Sequence, residues 1–214
     1  MKPHHKIAII GGTGKSGQYL VKEALNQGYT IKVLIRNPEH FTIQHPLLEL
    51  IQGDVTDYAT ILQLMEGCGA VISALGLGIP NSIFTVFSEA TNHVLRAMKF
   101  HSIQRYIVIT GLNVDTPMDN KSPKTQWGTN YMKENFPKTT ADKQLEYQLL
   151  KGSTVKWTLI RLPLIIQTDE RNAITQNLQD CPGDSISATS LAAFLLQQLQ
   201  DTTFIRKAPF IANR

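Results

Sequence analysis

The chain has 214 residues, of which 42% are hydrophobic, 18% charged and 7% aromatic, and 21 Lys and Arg against 17 Asp and Glu leave a net charge of +4. That balance excludes a disordered chain, which needs low hydrophobicity with high net charge, and it is too small to argue for nucleic acid while suiting an anionic ligand. The length fits one large domain that buries its core without a metal or a disulfide.

From the amino end, Lys6–Ile10 reads as a strand apolar on both alternating faces, the pattern of a strand covered by helices on two sides. The loop Gly11-Gly12-Thr13-Gly14-Lys15-Ser16-Gly17 follows, and then Gly17, Leu20, Val21, Ala24 and Leu25 form an apolar stripe at helical spacing. Further strands are expected at Thr30–Ile35, Leu48–Ile51, Ala70–Ala74, Tyr106–Thr110, Thr158–Arg161 and Phe210–Ala212. Phe84, Phe87, Thr91, Leu95 and Met98 predict a long helix over Ser82–Phe100 with one buried face. Residues 111–138 break the rhythm, with Pro117, Pro123 and Pro137, several lysines and no strong periodicity. At the carboxyl edge of a sheet, such a stretch reads as an insertion covering a ligand pocket, the alternative being a short packed helix without ligand contact. Leu191, Phe194, Leu195 and Leu199 predict a late helix with Ser187 as its N-cap and Gln197, Gln198 and Gln200 on its solvated side. Strands alternating with helices along the whole chain mean an α/β fold with three layers: a doubly wound, mainly parallel sheet in a single domain over residues 1–214.

The glycine loop carries the most information. Gly11 suits a tight turn, Gly14 lets a diphosphate approach the backbone, and Gly17 allows close helix–sheet packing. Thr13, Lys15 and Ser16 lie between them, where the free N–H groups of a helix N-terminus face an anion. Gly14-Lys15-Ser16 also looks like the end of a nucleoside-triphosphate loop, but that motif needs a glycine where Ile9 stands inside the strand, so the reading is rejected. The second strand ends in Arg36-Asn37-Pro38 with no acid before Glu39. An acid there would select the ribose 2′-hydroxyl of NAD; a guanidinium selects the 2′-phosphate of NADP. Arg36, aided by Lys15, therefore predicts NADP(H), the alternative being a solvated strand-end charge. Asp54 and Val55 after the third strand bracket an adenine, unless Asp54 instead caps the helix that begins near Asp57. Leu75-Gly76 and Thr110-Gly111 end the fourth and fifth strands, beside the ribose and nicotinamide.

Together these residues resemble the atypical short-chain dehydrogenase/reductases, in the NmrA-like and biliverdin-IXβ reductase (flavin reductase)-like branch. The resemblance covers nearly the whole chain and rests also on Ala70–Gly76, Ser88–Lys99, Asp142-Lys143 and Trp157–Pro163. It implies a Rossmann fold, NADPH, and hydride transfer to flavins, quinones or other conjugated acceptors. The departures bear on mechanism. Typical short-chain dehydrogenases carry Ser at the end of strand five and Tyr-x-x-x-Lys on the next helix, whereas here Gly111 and Thr139 stand at those positions. A threonine hydroxyl cannot replace a tuned phenol as acid, so ordinary carbonyl reduction is not expected.

The expectation is thus an NADPH-dependent oxidoreductase passing hydride to a flavin, quinone or biliverdin-like acceptor. Thr110 steadies the nicotinamide, Lys143 binds ribose hydroxyls or an acidic acceptor, and Pro163 lines the pocket floor. Lys143 reads equally as a solvent-facing lysine, and Arg161 as the partner of an acid. The alternative is a non-catalytic NADP(H)-binding sensor acting through a protein partner. A sugar-nucleotide epimerase is disfavoured, because the stretch after Pro163 is too short for a substantial substrate domain. No metal site is expected: the histidines at 4, 5, 40, 45, 93 and 101 lack ligand spacing. Cys68 reads as a small buried hydrophobe. Met1–Lys6 is too short and polar to begin a secretory signal, and runs such as Ile7–Ile10 and Leu162–Ile166 fall far short of the ~18 residues of a membrane span. A cytoplasmic monomer or weak dimer, with no nucleic-acid or membrane partner, is expected.

Overall fold

Alternate residues of β1 (Lys6–Ile10) enter two different cores, Ile7 and Ile9 one, Ala8 and Ile10 the other. The computed structural model describes residues 6–76 and 83–214. After β1 come α1 (Gly17–Asn26), β2 (Thr30–Ile35), β3 (Leu48–Gln52), α2 (Tyr58–Met65), β4 (Ala70–Ser73), α3 (Val86–Phe100) and β5 (Arg105–Gly111). The second half runs α4 (Pro123–Asn135), α5 (Pro137–Gly152), β6 (Lys156–Leu162), β7 (Leu164–Ile166), β8 (Ile174–Asn177), β9 (Ser185–Ser187), α6 (Ala188–Gln197) and β10 (Phe210–Asn213).

The main sheet has the order β3-β2-β1-β4-β5-β6-β10-β8, and β7 and β9 form a separate parallel pair. Every pairing of the main sheet is parallel except β10 with β8. Strands two and five repeat the two-faced pattern: Ile31 and Val33 join the same core as Ile7, as do Ile107 and Ile109, while Tyr106 and Val108 join the other. The first core also takes Leu20 and Val21 of α1 and Leu191 and Leu195 of α6; the second takes Ile61 of α2, Val94 of α3 and Leu150 of α5. This is a three-layer, doubly wound Rossmann-like domain, as the alternation of strands and helices predicts. The winding reverses between β1 and β4, the place where open α/β sheets form a ligand crevice at their carboxyl ends.

Three expectations need correction, and three short strands were not expected. Residues 111–138 are not irregular: Pro123–Asn135 is helical, with Ser122 capping Thr125 N at 3.4 Å. Its only buried residues are Thr125 and Thr129, so it has no apolar stripe to betray it. The long helix begins at Val86, and Phe84 of the expected stripe is exposed; the expected start at Ser82, like His4 and His5, lies outside the described residues. Gln198 is fully buried, because α6 ends at Gln197 and the next residue turns inward. β7, β8 and β9, of three or four residues each, carry too short a pattern to read. Ser187 does cap α6, accepting from Ser190 N at 3.0 Å, and Cys68 is buried, its thiol pushed up to about 11 by desolvation. Among the described residues no helix is long and apolar enough to cross a membrane.

Candidate functional site

A cleft of about 740 Å³ lies along the carboxyl ends of β1, β2, β4, β5 and β6. Its near wall is the loop after β1, with Gly11, Thr13, Gly14, Lys15 and Ser16. Gly11 adopts φ +77°, which a side chain would strain, and a Cβ there would meet Ala74 O at 2.5 Å. A Cβ on Gly17 would stand 2.0 Å from Gly11 O. The loop is thus folded back on itself, with Gly14 N donating to Gly11 O at 3.0 Å. Ser16 makes no side-chain cap and the first turn of α1 holds no acid, so the positive end of the helix remains uncompensated at the cleft.

The other walls follow from strand ends. Arg36 and Asn37 extend from β2, Asp54 and Val55 follow β3, and Leu75 and Gly76 follow β4. Thr110 and Gly111 come from β5, Lys143 from α5, and Leu162, Pro163 and Ile165 from β6 and beyond. The structure therefore brings together every candidate site residue named above except Gly17, which is buried behind the loop. From residues 111–138 only Gly111 reaches the cleft. Asp54 does not cap α2. Asp57 does, accepting from Ala59 N at 3.1 Å and Thr60 N at 3.2 Å, while Asp54 accepts from Thr56 N at 2.9 Å.

At the far end, Thr110 is 3% exposed and its Oγ1 has no hydrogen-bond partner. A buried hydroxyl without a partner costs free energy unless a ligand supplies one. No side chain stands at 111, and Asn113 fills that space: a Cβ there would lie 2.3 Å from Asn113 Oδ1. Lys143 Nζ lies 4.7 Å from the centre of the Phe87 ring.

Sequence reasoning missed what aims Lys143. The neighbouring Asp142 caps α3 from another helix, its carboxylate accepting from Phe87 N at 2.8 Å, from Ser88 N at 3.3 Å and from Ser88 Oγ. Thr85, the local N-cap, makes no side-chain bond. No local signal marks such a cap, since 55 residues separate its partners. Arg161 behaves as its second reading held: fully buried, it meets Asp119 Oδ1 at 2.6 Å. Among the described residues no group of three or more His, Cys, Asp or Glu is placed to hold a metal.

The sequence pattern of a family described as NAD(P)H-binding matches residues 11–202 of this chain. The chain belongs to the NAD(P)H-binding family. Relatives of this chain include the photosystem II assembly factor Ycf39 of Trieres chinensis, 24% identical over 93% of this chain, and that of Synechocystis, 21% identical over 98%. The chain spans about three-fifths of the length of these two proteins, 62% and 63%. Solved structures with this fold include a short-chain dehydrogenase/reductase from Veillonella parvula in complex with NADP (TM-score 0.80, 16% identity, 98% of this chain and 95% of that one). Another is ChuY, an anaerobillin reductase from Escherichia coli O157:H7 (TM-score 0.79, 16% identity, 97% of each chain). The NAD(P)H binding expected from the glycine loop and the strand ends is borne out at the level of the family. The cleft's features fit the family's cofactor: a glycine loop that a Cβ would fill, a helix N-terminus facing the opening, and an orphaned hydroxyl at Thr110.

Proposed function

We propose that this NAD(P)H-binding chain is an NADPH-dependent reductase that passes hydride to a flat conjugated acceptor of the flavin, quinone or biliverdin class. The observation that carries the reading is the partnerless Thr110 hydroxyl at one end of a cleft whose other end is the glycine loop. The bound cofactor supplies hydride, and the chain's residues position and exclude water. On this reading the loop from Gly11 to Ser16 holds the diphosphate, Arg36 and Lys15 the 2′-phosphate, and Asp54 and Val55 the adenine side. Thr110 donates to the nicotinamide end, Lys143 holds ribose hydroxyls or an acidic group of the acceptor, and Pro163 floors the acceptor's place. Such an acceptor delocalises the electron pair it receives, so the reaction does not require the phenol that Thr139 replaces. The protein is proposed to work in the cytoplasm as a monomer or weak dimer.

Arg36→Ala tests the cofactor choice. Losing charge-assisted bonds to a phosphate is expected to weaken NADPH by about 10- to 100-fold, with NADH binding unchanged; equal losses overturn the assignment. Steady-state oxidation of NADPH with free flavin and with quinones tests the activity. Binding without oxidation across these acceptors supports the second reading, a non-catalytic sensor. That reading is favoured by the absence of any side chain at Gly111 and by the assembly-factor names of the Ycf39 relatives.

A further inference from the structure

Glu146 is a buried acid for which the proposed reaction has no use. It is 2% exposed, its Oε1 accepts from Thr91 Oγ1 at 2.9 Å, and its Oε2 has no partner. It stands one turn beyond Lys143 on α5, while Thr91 stands one turn beyond Phe87 on α3. Residues three or four apart share a helix face, so Phe87 with Lys143 and Thr91 with Glu146 make two successive rungs between the helices. The first rung opens on the cleft; the second is closed by Tyr106 of β5, whose hydroxyl is 3.4 Å from Thr91 Oγ1. Asp142, the other carboxylate nearby, is taken up by the N-terminus of α3. Lys143 makes no ion pair within 4 Å among the described residues, which leaves Glu146 as the uncommitted acid one turn away.

We propose that Glu146 is the positioning residue for Lys143: neutral, it leaves the ammonium to a ligand in the cleft, and ionised, it draws the ammonium back between α3 and α5. This rests on the reading that Lys143 touches the cofactor or acceptor. Burial pushes the Glu146 carboxyl up to about 8, against the opposing pull of the Lys143 charge and the Thr91 bond. Burial lowers Lys143, which Glu146 and Asp142 partly offset. The groups facing Glu146 are Lys143 and Asp142 from α5, Thr91 from α3 and Tyr106 from β5; burial raises the Tyr106 phenol, so it stays neutral throughout. With Glu146 protonated, a charged Lys143 gives the pair one positive charge toward the cleft; with Glu146 ionised, the pair is neutral.

The experiment is a fluorescence titration of NADPH binding from pH 6.5 to 9.5 with the wild type, Glu146→Gln and Lys143→Met. A coupling of one pK unit between proton and ligand equals tenfold in affinity, so wild-type binding is expected to weaken about tenfold as pH rises through 8. Glu146→Gln keeps the acceptor for Thr91 and is expected to hold the tighter affinity across the range. Lys143→Met is expected to bind weakly at every pH. A flat wild-type profile, or the same fall in Glu146→Gln, overturns the proposal. An infrared titration of the ligand-free protein gives the second measurement. A protonated carboxyl band is expected at pH 7, lost near 8 in the wild type and at higher pH in Lys143→Met. A band absent at pH 7, or unmoved in Lys143→Met, overturns it. A wild type that binds no NADPH at any pH counts against the reductase reading, and the infrared titration then decides the role of Glu146 alone.

Discussion

Gly17→Ala is expected to weaken NADPH binding by roughly 100-fold and to lower stability by about 3 kcal/mol. The new Cβ would stand 2.0 Å from Gly11 O and 2.8 Å from Gly11 C, both backbone atoms, so no side-chain rotation relieves the contact. The loop must move away from α1. Overpacking at a backbone contact costs about 1–3 kcal/mol or more, and ~3 kcal/mol of lost positioning corresponds to two decades of affinity. Gly14→Ala is the informative comparison, because its Cβ would meet only Gly11 O, at 3.2 Å. That variant is expected to keep most of its thermal stability while still losing NADPH affinity, since its methyl projects where a diphosphate would approach. Isothermal titration beside thermal melts separates the two. Gly17→Ala binding as well as the wild type would mean that the loop does not hold the cofactor.

The second large effect concerns β6, the strand that leads into Leu162 and Pro163 at the cleft. Arg161 is fully buried, its guanidinium 3.5 Å from the centre of the Phe210 ring, and it donates to Ala208 O, Val114 O and Leu178 O besides Asp119. Burial lowers its affinity for the proton, and the bond to Asp119 works in the other direction. Removing one partner of a buried ion pair costs about 3–5 kcal/mol, because the remaining charge is left without compensation. Asp119→Ala is therefore expected to lower Tm by roughly 10 °C for a chain of this size. Asp115→Ala is expected to cost less, since that carboxylate is 45% exposed and the buried Lys121 it pairs with keeps Asp119 at 3.6 Å, Leu112 O and Thr129 Oγ1 as partners, while Lys133 is exposed. Equal melting temperatures for the two variants would show that Arg161 does not depend on Asp119.

Most of the fold was legible because parallel strands covered on both faces are apolar at every position, and Ile7-Ala8-Ile9-Ile10 can hardly be read otherwise. The loop after β1 was legible because few other structures need glycine at three such spacings. What escaped was decided by contacts distant in sequence or by weak patterns. α4 faces the protein with threonines, so its periodicity is invisible to a count of apolar residues. The cap that Asp142 supplies to α3, and the ladder that sets Glu146 beneath Lys143, exist only once two helices far apart in sequence are packed. Lys143 itself was read from a family pattern, and its place at the cleft goes with the packing of α5 against α3.

The cap on α3 has a consequence for the order of assembly. The amides of Phe87 and Ser88 find their acceptor only when residue 142 arrives, 55 and 54 residues later in the chain. Until α5 docks, those two amides have no protein acceptor and can bond only water. The same docking sets Lys143 over the Phe87 ring at the cleft, so one helix–helix contact both caps α3 and supplies a residue of the site.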